Sequence, residues 1–243
     1  MPVPLIQQIR VGAYVLSKRI RRTKRYPLVL MLAPLFRCNL ACPGCGKIDY
    51  PSTILDQRLS LEDCLAAVDE CGAPVVSIPG GEPLIHPEMK DIVAGIVARK
   101  KFVYLCTNAL LLSKKLEQYT PSPYLTFSIH LDGLEEEHDK AVDQKGTFKR
   151  AVAAIKEAQA RGFRVNVNST LFDGHAPEDV AKFFDFVTHD LKIDAITVSP
   201  GYSYERAPDQ EHFLNRSKTK ALFREIFRLG ERKKWRFSQS SLF

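Results

Sequence analysis

The chain has 243 residues, 45% of them hydrophobic, with 35 Lys or Arg against 28 Asp or Glu and a net charge of +7. That length can bury one substantial core, and its longest apolar run, Pro27–Phe36, falls well short of the ~20 residues needed to span a bilayer. The six cysteines are not read as a disulfide framework, because no secretory signal is evident and the chain reads as cytoplasmic.

Charge is unevenly placed. Residues 1–26 hold Arg10, Lys18, Arg19, Arg21, Arg22, Lys24 and Arg25 and no acid, which leaves the rest of the chain balanced. Along this arm Leu5, Ile9, Ala13, Leu16 and Ile20 recur at helical spacing. Two readings stand. A basic amphipathic helix suits a membrane surface, where each nearby Lys or Arg contributes about 1 kcal/mol. Alternatively, the helix closes the floor of the fold and its charges are simply solvated. Nucleic-acid binding is not expected, since no aromatic platform interleaves the charges.

From residue 27 to residue 235 the pattern alternates between short β-rich runs and helical periodicity. Strands are expected near Leu28–Ala33, Val75–Pro79, Phe102–Thr107, Leu125–His130, Arg164–Thr170 and Ala195–Ser199. Helices are expected near Leu61–Cys71, Pro87–Lys100, Ser113–Tyr119, Phe148–Arg161, Pro177–Thr188 and Lys218–Lys233. Six βα units with right-handed crossovers predict an α/β fold, an open parallel (β/α)6 crescent smaller than a full TIM barrel. Residues 236–243 read as the start of a C-terminal extension that continues past the end of this sequence.

Chemistry-bearing residues cluster at the expected C-terminal ends of these strands, where ligands bind in such folds. After the first strand comes CNLACPGCG, with Cys38, Cys42 and Cys45 in C-x3-C-x2-C spacing. Structural zinc usually takes four Cys or His ligands, and the nearest spare thiols, Cys64 and Cys71, fall in a helical pattern as core residues. An iron–sulfur cube held by three thiolates keeps one iron open to a small chelating molecule. Gly80-Gly81-Glu82-Pro83 follows the second strand, either as a tight turn or as a close backbone approach to a ligand.

Period-two alternation places Ser128, His130 and Asp132 on one face of the fourth strand. His130 either binds a ligand hydroxyl or pairs with Asp132. Cys106 and Asn108 share parity on the third strand, so a thiol faces inward about 6.6 Å below the rim if Asn108 does. It is either a small buried hydrophobe or a hydrogen-atom donor.

The cysteine spacing and the Gly-Gly-Glu-Pro resemble the radical S-adenosylmethionine (radical SAM) enzymes. The resemblance implies a [4Fe–4S] cluster on Cys38, Cys42 and Cys45, with S-adenosyl-L-methionine on its open iron. It assigns Gly80, Gly81 and Glu82 to the cofactor's amino group, and Asn108, Ser128, His130, Asn168 and Ser199 to the rest of that cofactor. Two departures stand out: relatives carry an aromatic where Gly44 lies, and often a serine where His130 lies. A small electron donor such as flavodoxin or ferredoxin is implied as partner.

The wording CNLACPGCGKIDYP, VSIPGGEPLIH and FVYLCTNALLL further resembles the branch that forms adenosylhopane in hopanoid biosynthesis. That branch adds the 5′-deoxyadenosyl radical to the alkene of diploptene, a pentacyclic triterpene. Cys106 would then quench the product radical, Gly44 would make room for the hydrocarbon, and the enzyme would be cytoplasmic and peripheral at the inner face of the membrane. A peptide-modifying radical enzyme and a non-catalytic metal-binding module are the alternatives.

Overall fold

The computed structural model describes residues 2–46, 50–203 and 206–238. Six parallel strands pair in sequence order: β1 (Val29–Met31), β2 (Val75–Ile78), β3 (Phe102–Thr107), β4 (Leu125–His130), β5 (Arg164–Leu171) and β6 (Ala195–Pro200). The sheet curls into a half-barrel, and among the described residues β1 and β6 do not pair with each other. The outer row of the strands, including Val76, Leu105, Phe127, Val167 and Ile196, is fully buried under the helices. The inner row runs through Ser77, Cys106, Ser128 and Asn166; Cys106 pairs in register with Ser128, and Ser128 with Asn166.

The helices outside the sheet are α3 (Leu61–Cys71), α4 (Met89–Ala98), α7 (Thr147–Ala160), α8 (Pro177–Asp185) and α9 (Arg216–Lys233); α1 (Leu5–Ile20) lies ahead of β1. Three short α-helices are also described, α2 (Ser52–Leu55), α5 (Leu112–Lys115) and α6 (Glu135–Ala141), with 3-10 turns at Pro83–Ile85 and Leu116–Gln118 and a π-helical turn at Phe186–Asp190. Ser60 starts α3 with a reciprocal cap, its hydroxyl accepting from Asp63 N while the Asp63 carboxylate accepts from Ser60 N. The expected elements are all present, with ends shifted by a few residues; β1 shrinks to three residues because Ala33 already belongs to the approach to the cysteine loop. The alternation rule missed α2 and α6, which are too short for a helical period to show. Phe237 makes a parallel bridge to Ile196, so the chain after α9 adds to the sheet edge beside β6. Residues 239–243 of the expected extension lie outside the described residues.

Helix α1 crosses the floor of the half-barrel. Tyr104 donates its hydroxyl to Gln7 Oε1 at 3.0 Å, Val11 packs against Val75, Phe102 and Tyr124, and Tyr14 donates to Pro27 O at 3.0 Å. Val75, Phe102 and Tyr104 lie in the first half of their strands, and Pro27 and Tyr124 just ahead of theirs, away from the cysteine loop. One face of α1 packs on the floor through these contacts, and Leu5, Ile9, Leu16 and Ile20 remain exposed.

Candidate metal and cofactor site

The loop after β1 carries Cys38 exposed and Cys42 and Cys45 half-buried. Burial is the largest cause raising the Cys38 and Cys42 thiols; Cys45 adds to it for Cys38, and Cys38 and Cys45 add to it for Cys42, which is pushed up to about 12. Three thiolates here would repel one another, and an electropositive centre among them removes that penalty. Thiolate sulfur is the donor that iron–sulfur clusters take, so the residues fit the group. Among the described residues no group of three or more His, Cys, Asp or Glu closes tightly enough for a single ion. A four-iron cube is wider than one ion and holds its thiolates further apart.

Neighbouring strands brace the loop. Asn108, at the end of β3, donates from Nδ2 to Asn39 Oδ1 at 2.8 Å and lies 3.8 Å from Cys38 Sγ. Asp209 N donates to Pro43 O at 3.0 Å. From the end of β2, Gly81 N donates to Leu35 O (3.2 Å) and Glu82 N to Arg37 O (2.9 Å). A Cβ on Gly80 would sit 2.8 Å from Leu35 O, and one on Gly81 would overlap the carbonyl oxygens of Phe36 and Arg37. Glycine is required there because another backbone lies against it.

Glu82 is completely buried. Expected as an acceptor for a ligand ammonium, it has both carboxylate oxygens engaged inside the protein. Oε1 accepts from Leu84 N (2.9 Å) and Thr107 Oγ1 (2.8 Å), and Oε2 accepts from Asn108 N (2.8 Å). Burial pushes its pKa up against these three donors. The side chain is a bracket between the ends of β2 and β3, and through Asn108 it reaches the cysteine loop. The sequence places Thr107 at the end of the third strand, and its bond to Glu82 appears only in the structure.

At the end of β4, His130 Nε2 donates to Asp132 Oδ2 at 2.7 Å, and Asp132 Oδ1 accepts from Thr170 N at 2.7 Å. Burial opposes both charges. The pair's mutual attraction outweighs it, raising His130 and lowering Asp132. His130 thus pairs with Asp132 through Nε2. Asn168 is half-buried at the matching height of β5, where its carbonyl accepts from Leu131 N at 3.1 Å. Ser199, half-buried on β6, pairs in register with Thr170.

Behind this pair His138 is 1% exposed, its Nδ1 accepting from Asp132 N at 3.3 Å. Burial first, and the charge of His130 second, lower its pKa to about 4. A folded-state value below the ordinary 6.5 favours the neutral ring, so this stabilisation is complete above pH 6.5 and is lost as pH falls through 4. The loss amounts to about 3 kcal/mol. Urea unfolding of the cluster-free chain should show it between pH 6.5 and 4, and a His138→Leu variant should show a flatter dependence there.

In the lumen Cys106 Sγ lies 3.6 Å from Ser77 Oγ and bonds the Ser128 side chain, with Tyr104 O at 3.8 Å. Burial is the main cause that raises this thiol, so it keeps its S–H at neutral pH.

Gly44 does not leave open room. A Cβ there would meet the Phe172 ring at 3.2 Å, and Gly201 is packed against the same ring from the β6 side. Phe172, just past β5, packs against both glycines, so its ring takes the space on the Cβ side of Gly44. Two glycines 157 residues apart facing one ring cannot be read from the sequence.

Comparison with known proteins agrees with this geometry. The family model described as Radical SAM superfamily matches residues 32–187, and a domain of unknown function (DUF3463) matches residues 196–243. GTP 3′,8-cyclase 1 of Mycobacterium tuberculosis (strain ATCC 25618 / H37Rv) is 28% identical over 184 residues, covering 70% of this chain and 51% of that protein. Fe-coproporphyrin III synthase of Methanosarcina barkeri (strain Fusaro / DSM 804) is 26% identical over 155 residues, covering 62% of this chain and 38% of that protein. The chain spans about half the length of the cyclases it matches. Among solved structures, Streptococcus suis SuiB bound to S-adenosylmethionine superposes with a TM-score of 0.77 at 18% identity, covering 94% of this chain and 54% of that one. Native anSMEcpe with bound AdoMet and a peptide gives 0.64 at 19%, covering 87% and 63%. The chain belongs to the radical SAM superfamily, whose [4Fe–4S] cluster and S-adenosylmethionine are its cofactors.

Proposed function

We propose that the chain is the radical SAM enzyme of hopanoid biosynthesis that joins the 5′-deoxyadenosyl group to the alkene of diploptene. Cys38, Cys42 and Cys45 hold the cluster, and Gly80 and Gly81 bring backbone close to the cofactor's amino group while Glu82 braces them. Asn108, Ser128, His130, Asn168 and Ser199 line the remainder of the cofactor site from the ends of β3 to β6. Residues 1–26 act as a basic arm, 27–235 as the radical SAM core and 236–243 as the start of an extension.

When bound, the cluster supplies one electron that breaks the S–C5′ bond of S-adenosylmethionine, releasing methionine and a 5′-deoxyadenosyl radical. Addition to the terminal alkene carbon forms one C–C bond and leaves a tertiary carbon radical. Cys106 gives that carbon its sulfur-bound hydrogen atom, and the resulting sulfur radical takes one electron and one proton to regenerate the thiol. Each turnover then draws two electrons from a small donor such as flavodoxin or ferredoxin. Cys106 lies partly buried on the lumen face with its pKa raised, so it keeps its thiol protonated, the only form with a hydrogen atom to give.

The observation that carries this reading is the inward S–H of Cys106, held between Ser77 and Ser128 on the strand that also braces the cysteine loop. The residues around the cysteines and after β2 and β3, which resemble the adenosylhopane-forming branch, supply the substrate. Likeness to peptide-bound structures at 18–19% identity carries only the fold. Reduced, reconstituted protein given S-adenosylmethionine and diploptene should yield the adenosylated adduct by mass. The Cys106→Ala variant should lose at least about tenfold of that product while still cleaving S-adenosylmethionine. Free 5′-deoxyadenosine with no adduct in the unaltered protein would refute addition chemistry. The same reading places the enzyme in the cytoplasm, peripheral at the inner face of the membrane.

A further inference from the structure

Ten large hydrophobic side chains are exposed among the described residues, and eight of them lie between Leu5 and Met31. On α1, Leu5 (56% exposed), Ile9 (61%), Leu16 (59%) and Ile20 (73%) are spaced so that they share one helical face. Gly12 falls on the same face, and a Cβ there would meet nothing within 4 Å. The opposite face is already committed to the barrel floor through Gln7 and Val11. The stripe therefore stays in water while the helix is fully docked, and so large an apolar surface marks a binding face.

Charge identifies what covers it. Arg19, Arg21, Arg22, Lys24 and Arg25 are exposed at the end of the stripe, and residues 1–26 contain no acid. A second copy of the same face would meet like charge. An anionic bilayer offers both things needed: acyl chains for the stripe and phosphate for the cations at headgroup level. No described helix is long and apolar enough to cross the membrane, so the contact is along the surface.

Beyond the arm, Val29 (48%) and Met31 (64%) are exposed on the inner face of β1, at the edge where β1 lacks a partner in β6. We infer that the outward face of α1 docks on an anionic bilayer with the barrel floor toward the lipid, so that an apolar substrate enters sideways along β1. The docking stands on the packing of α1 alone; the sideways entry rests on the apolar substrate proposed above.

The test is co-sedimentation of the full reconstituted protein with phosphatidylcholine vesicles, with and without about one-third phosphatidylglycerol. We expect at least about tenfold tighter binding to the anionic vesicles, weakening as salt rises. A Leu16→Glu/Ile20→Glu variant should lose at least about tenfold of that binding and keep its rate of S-adenosylmethionine cleavage. Exchanging Arg21, Arg22 and Lys24 for Gln should erase the preference for anionic lipid. Equal binding of the Leu16→Glu/Ile20→Glu variant, or no binding of the unaltered protein, overturns the inference. So does a dimer in sedimentation velocity that this variant abolishes. Vesicle binding without any adenosylated alkene leaves the docking standing and removes the proposed reaction and the sideways entry.

Discussion

A Cys42→Ala variant is expected to purify folded but colourless from oxygen-free preparations, with iron and sulfide far below about four of each per chain. S-adenosylmethionine cleavage should fall below detection, because an incomplete ligand set holds no cluster to deliver the electron. Cys38→Ala and Cys45→Ala should behave alike, whereas Cys64→Ala should keep its iron. Cys64 is a fully buried packing residue of α3 that belongs to the main core. Its loss costs some stability through a small cavity, about 1 kcal/mol, and nothing in metal content. Iron retained at the ordinary level in Cys42→Ala would show that the loop is not the cluster site.

The largest effect on stability is expected at Glu82. Glu82→Ala leaves two backbone N–H groups and the Thr107 hydroxyl without their acceptor in a fully buried place. Each orphaned donor costs about 1–3 kcal/mol, so a loss of about 4 kcal/mol is expected, a fall of ~10 °C in Tm for a chain of this size. Thr107→Val removes one of the three bonds and also leaves Ala109 N, which donates to Thr107 Oγ1 at 3.0 Å, without its acceptor, so it should cost about 2 kcal/mol. Urea unfolding of the cluster-free chains measures both, and a Glu82→Ala midpoint close to the unaltered one would show that the bracket carries no stability. The Glu82→Ala variant should also reconstitute poorly, because Glu82 N and the Asn108 side chain hold Arg37 and Asn39 on either side of Cys38.

Much of this was legible without coordinates. Period-two and helical spacing located all six strands and the main helices, because each strand shows one face to the helices and one to the lumen. The cysteine loop was legible for a local reason: three thiols within eight residues cannot lie far apart. Strand parity likewise put Cys106 and Ser128 on the lumen side, where the register pairs them.

The roles of side chains whose partners come from other strands were not legible. The spacing of Glu82 did not reveal that its carboxylate meets Thr107 and Asn108, 25 and 26 residues on. His130 had two possible partners on paper and took Asp132. Gly44 suggested an empty place that Phe172 fills from beyond β5.

The sequence by itself determined the family, the order of the strands and the loops on which the chemistry sits, since these depend on residue spacing within single βα units. Only the tertiary structure decided which polar groups are already satisfied and which face of the basic helix remains uncovered. Both depend on how the sheet curls: curvature brings strand ends from distant units within hydrogen-bonding distance and lays α1 across the floor with one side buried. No local periodicity encodes that closure.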